Sequence, residues 1–98
     1  MDYNIQKTDE GLEIWATLRL SHYIERTLQN SFLIDFISID VKVDGLLSSG
    51  HSYVYIDINN PIITKDCLIA YLEKIITDCV YLEKCFKLEC VSNNMEDI

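Results

Sequence analysis

Ninety-eight residues, 49% of them hydrophobic and 24% charged, suit one globular domain spanning 1–98 with a core of its own. Sixteen acids against eight Lys and Arg leave a net charge of −8, which repels phosphate backbones, argues against nucleic acid as a partner and favours basic ones, besides keeping the chain in solution. No apolar run approaches the roughly 20 residues that span a bilayer, and Met1-Asp2-Tyr3-Asn4 is neither basic nor followed by an apolar stretch, so the expectation is a cytoplasmic protein with no membrane partner.

Residues 1–10 are polar without a period and read as a flexible or lightly paired lead-in. From 12 to 20 the chain alternates: Leu12, Ile14, Ala16, Leu18 and Leu20 against Glu13, Trp15, Thr17 and Arg19. That is the pattern of a half-buried strand. Residues 21–31 are open to two readings. Ile24, Leu28 and Phe32 recur at helical spacing with Ser21 as a cap, yet His22, Thr27, Asn30 and Ser31 equally suit an irregular crossover. A second strand covers 33–44, with Ile37, Ile39, Val41 and Val43 inward and Ser38, Asp40, Lys42 and Asp44 outward. Its parity slips between Phe36 and Ile37, which marks a bulge or an element boundary.

Asp44-Gly45 and Ser48-Ser49-Gly50 signal a hairpin loop over about 45–51. The third strand, 52–58, turns Val54, Ile56 and Ile58 inward and Tyr53, Tyr55 and Asp57 outward, and Asn59-Asn60-Pro61 stops it. A helix over 65–82 follows, with Thr64 as N-cap, Asp66 in the first turn, and an apolar stripe of Leu68, Ile69, Leu72, Ile75, Ile76, Cys79 and Val80. Phe86, Leu88 and Cys90 alternate with Lys87 and Glu89, which reads as a last strand over 85–91. The polar segment 92–98 reads as a flexible tail. The fold class is α+β: a four-stranded, largely antiparallel sheet with one long helix and, if 21–31 is helical, a second short one, giving a ferredoxin-like order.

Four cysteines, at 67, 79, 85 and 90, form no Cys-x-x-Cys and have no neighbouring His to complete a zinc set. Reduced, structural thiols are expected, with Cys79 and Cys90 on apolar faces. His22 and His51 lie in no nucleophile motif, and no phosphate loop or His-Glu-x-x-His occurs. Asp40, Asp44 and Asp57 share a face, a pattern too generic for metal or acid–base work. The expectation is a non-enzyme with no catalytic residue, no metal and no cofactor.

The outward sheet face says more. Alternation gathers Trp15, Tyr53 and Tyr55 there with Glu13, Asp40, Asp44, Asp57 and Glu89, and with Arg19, Lys42 and Lys87 as its basic members. Trp and Tyr dominate protein-binding hot spots. Against this stands the reading that the 21–31 segment or the N-terminal arm covers them as a second small core. Sheet aromatics also stack bases in RNA-recognition domains, but their basic-Gly-aromatic signature is missing here.

From Leu12 to Leu72 the order of elements resembles small bacterial immunity proteins of the wall-associated and contact-dependent toxin systems. The resemblance rests on the strand running into Val41-Lys42-Val43-Asp44-Gly45, the return strand Tyr53-Val54-Tyr55-Ile56-Asp57 and the Leu-x-x-Tyr-Leu helix from Leu68 to Leu72. It is one of pattern and carries over no binding residues. It implies an acidic blocker of a cognate basic toxin, a nuclease for example. The partner-binding residues expected from the sheet face are Trp15, Asp40, Asp44, Tyr53, Tyr55 and Asp57. Two other readings stand beside it: a viral or phage inhibitor of a nucleic-acid-binding defence protein that uses acids as phosphate mimics, and a self-associating module, a homodimer paired through the aromatic face.

Overall fold

The computed structural model describes residues 3–43 and 50–96, with side chains described to Cys85. Strand β1 (Tyr3–Lys7), β2 (Gly11–Thr17), helix α1 (Leu18–Gln29), a 3-10 turn (Phe32–Asp35), β3 (Ile37–Val43), β4 (His51–Ile58) and α2 (Lys65–Glu96) follow one another along the chain. The four strands make one antiparallel sheet in the order β1-β2-β4-β3. The α+β class is as the sequence pattern indicated.

β2 and β3 run parallel to each other with β4 inserted antiparallel between them, which is the split β-α-β arrangement with α1 as the crossover. The place on the far side of β2, which the pattern assigned to 85–91, belongs to β1 instead. The segment read as a lead-in pairs with β2 over five successive register positions, from Tyr3 opposite Ala16 to Lys7 opposite Leu12. The order is therefore ββαββα and not the ferredoxin-like βαββαβ: the fourth strand comes from the other end of the chain.

The reason lies in α2. Its N-terminus forms as expected, with Thr64 Oγ1 accepting the Cys67 N–H at 3.1 Å. No Gly or Pro occurs after position 61. Extending an existing helix adds one hydrogen bond per residue fixed, while a new strand must close a loop first. The helix accordingly runs through 82, through the segment read as a strand and through most of the tail read from Ser92, to Glu96.

β2 is shorter than the alternation suggested. It ends at Thr17, whose Oγ1 accepts the Leu20 N–H at 3.3 Å and so caps α1. The helical reading of 21–31 is the observed one, but the helix starts at Leu18 and its cap is Thr17, not Ser21. Leu20 is then buried from a helix and not from a strand. The parity slip at Phe36 is an element boundary, where the 3-10 turn gives way to β3.

The core lies between the sheet and both helices. Leu12, Ile14, Ala16, Val54 and Ile56 from the central strands meet Leu20, Ile24 and Leu28 of α1 and Leu68, Leu72, Ile75, Ile76 and Cys79 of α2. Gly11 opens β2 where a Cβ would overlap the Ile56 carbonyl oxygen, so only glycine lets β4 approach. Two buried hydroxyls among the described residues meet here: Ser52 Oγ donates to Ser21 Oγ at 2.6 Å. Past Cys79 the helix leaves the core, and Tyr81 and Leu82 are exposed. Burial, with Glu83 nearby, pushes the Cys79 thiol up, partly opposed by Arg19. Cys90 lies beyond the described side chains.

Candidate functional site: the outer sheet face

Register sets the outer face in rows. Asn4, Trp15, Tyr53 and Lys42 lie opposite one another across the four strands, and so do Gln6, Glu13, Tyr55 and Asp40; Asp57 pairs with Ser38 on β3. The two helices pack on the opposite face, since the residues that meet them are the inward set of the same strands. β1 sits beside β2 and not over it. Among the described residues, then, neither element that could have covered the aromatics does so. Trp15, Tyr53 and Tyr55 are each half-buried by their neighbours in the sheet, and Asp40 and Asp57 are exposed.

The aromatics form two units. Trp15 stacks on His51 with ring centroids 4.1 Å apart and planes within 3°. Tyr53 and Tyr55, two apart on β4, stack at 6.1 Å and 23°. Lys42 Nζ lies 5.5 Å from the centre of the Tyr55 ring and 3.8 Å from Asp40 Oδ2. This fixes rigid, flat rings with few rotamers left to lose on contact, which is how aromatic anchors yield binding energy cheaply.

The tyrosine pair separates two shallow depressions. One, about 270 Å³, is lined by Asn4, Gln6, Glu13, Trp15 and Tyr53. The other, about 300 Å³, is lined by residues including Glu10, Ser38, Asp40, Lys42, Tyr55 and Asp57. Carboxylates therefore line both, and among the described residues Lys42 is the one Lys or Arg on the rims. A shallow acidic surface studded with aromatics suits Lys and Arg side chains, which meet a ring by cation–π contact and a carboxylate by a charged hydrogen bond. No group of three or more His, Cys, Asp or Glu gathers to hold a metal among the described residues.

Of the expected partner-binding residues, the structure brings Trp15, Asp40, Tyr53, Tyr55 and Asp57 onto this one face, while Asp44 lies outside the described residues. Three residues read onto the face do not belong to it. Arg19 is on α1, its guanidinium 3.5 Å from Glu83 of α2, and Lys87 and Glu89 fall within α2. Other residues were missed. His51, read as part of a loop tip, is the first residue of β4, and its spacing of two and four from Tyr53 and Tyr55 was the available signal. Asn4 and Gln6 enter only because β1 is a strand. No helix among the described residues is long and apolar enough to cross a membrane. No protein family, curated protein or solved structure matches this chain.

Proposed function

We propose that this chain is a small acidic protein-binding module that blocks a basic protein, in the manner of an immunity protein occluding its toxin. The observation that carries the reading is the open outer face, where Trp15, Tyr53 and Tyr55 stand among Glu13, Asp40 and Asp57 while both helices occupy the other side. The acids draw a cationic partner in and the aromatics hold it. A net charge of −8 adds a long-range field of the same sign. The reading assigns no chemistry to the chain: its effect on the partner is steric and electrostatic. A cytoplasmic place of action and a nuclease-type toxin belong to the same proposal.

The test is a binding measurement on a partner isolated from the native host and then purified. A gene for a basic toxin domain directly upstream would be the first partner to try. Tyr55→Ala should speed dissociation, and Asp57→Asn should slow association at low salt with little effect at high salt. An acidic partner, or a complex whose contacts lie on α2 with the sheet face left free, overturns the proposal. Submicromolar, salt-sensitive affinity for single-stranded RNA would replace it with a nucleic-acid function.

A further inference from the structure

The sheet has two edges, and they differ. β1 is five residues long and turns Lys7 to the helix side, where it meets Asp66 at 2.7 Å. A charge on the core side guards an edge against pairing with another chain. β3 is seven residues long, pairs with β4 in unbroken register and has no proline. Its core-side row, Ile37, Ile39, Val41 and Val43, is apolar throughout, and Val43 is 61% exposed.

The ladder shows which backbone groups face outward from β3. Phe36 O accepts the Asn59 N–H at 2.8 Å, one position beyond the first β3–β4 pair. Hydrogen-bonded pairs alternate along an antiparallel ladder. Ser38, Asp40 and Lys42 therefore direct their N–H and C=O groups to β4, while Ile39, Val41 and Val43 direct theirs away from the sheet.

We propose that this edge pairs with β3 of a second copy of the chain, antiparallel, about a two-fold axis at Val41. A two-fold antiparallel pairing places one residue opposite itself. An axis at Asp40 or at Lys42 sets like charges face to face. An axis at Ile39 leaves Val43 past the start of the opposing strand. The axis at Val41 sets Asp40 of each copy opposite Lys42 of the other, and covers Val43 of each with Ile39 of the other. Val41 and its counterpart exchange both backbone bonds, as do the two Ile39–Val43 pairs. The Asp40–Lys42 pairs fall at the positions without hydrogen bonds, where opposed side chains come closest. The result is an eight-stranded sheet with all four helices on one side and the two aromatic faces side by side on the other. The pairing stands independently of what those faces bind.

Sedimentation equilibrium of the full chain tests it. The mass should rise with concentration toward twice 11.4 kDa, because an edge this short buries less than the roughly 1,600 Å² of a standard interface and exchanges. Asp40→Lys and Lys42→Asp should each raise the dissociation constant about tenfold, and the double swap should restore it to within about threefold. Val41→Pro should give a monomer with an unchanged far-ultraviolet spectrum, since the lost N–H makes no bond within the sheet. Should that variant fail to fold, the two exposed charge positions still decide. A monomer at every concentration overturns the proposal. So does a dimer indifferent to Asp40→Lys, or a double swap that fails to restore pairing.

Discussion

The two faces of the sheet are made by the same strands, residue by alternate residue, yet their surroundings differ. On the inner face Leu12, Ile14, Ala16, Val54 and Ile56 are at most 1% exposed and packed against two helices. On the outer face Trp15, Tyr53 and Tyr55 are comparable or larger in area but keep part of it in water. The fold has consumed one face and left the other. A large aromatic that the core does not use is held at a cost in solubility, and the rings here are ordered by stacking as well as by partial burial in the sheet.

The sharpest way to break this contrast is substitution in the two faces of neighbouring strands. Ile14→Ala should cost about 2–5 kcal/mol in urea unfolding, because it empties a site at the centre of the core. A loss below about 1 kcal/mol would mean that the inner face is loosely packed and the contrast is weaker than drawn. Ser52→Ala should cost about 1–3 kcal/mol by leaving Ser21 Oγ buried without its partner. A neutral result there would show that water reaches the pair.

Tyr55→Ala should act the other way round. It should cost about 1 kcal/mol or less in stability, the scale of a side-chain contact on a sheet face, yet about 2 kcal/mol or more in partner affinity. Collapse of the fold on this substitution would make the outer face a second core after all. Smallest is the effect of the Lys7–Asp66 contact that ties β1 to α2. Its hydrogen bond and charge hold the Asp66 carboxyl below its ordinary range. A depressed carboxyl contributes stability above the unfolded value of about 3.9, and that contribution is lost as pH falls through the folded value. Stability should thus decline on acidification, and Asp66→Asn should flatten that limb slightly, since the pair is exposed. A steeper acid limb in Asp66→Asn would contradict the sign.

Much of the site was legible before the fold was known. Side-chain alternation has a period of two in any strand, so Trp15, Tyr53 and Tyr55 had to share a face opposite Ile14, Val54 and Ile56 once β2 and β4 were recognised as neighbours. The face was read too narrowly at its margins. His51 follows directly on the Ser48-Ser49-Gly50 turn signal, and Leu18 and Leu20 prolong the alternation of β2 past Arg19. A threonine able to cap ended the strand there, and parity alone does not register a cap.

By itself the sequence determined the two faces of the central strands, the start of α2 at Thr64 and the acidity of the surface, all of which depend on residues close together in the chain. Only the tertiary structure decided which segment fills the place beside β2. Local pattern favoured 85–91, where Phe86, Leu88 and Cys90 alternate with Lys87 and Glu89, over the polar segment Tyr3–Lys7, yet it is Tyr3–Lys7 that pairs. Tyr3–Lys7 reaches β2 through a short turn, closed where Thr8 N–H meets Gly11 O at 2.9 Å, so its pairing costs little loop entropy. The later segment was already continuous with a helix that no glycine or proline interrupts, and a residue added to a formed helix needs no new nucleus. Two segments competed for one edge, and the outcome turned on connection and cooperativity, which no single stretch of sequence displays.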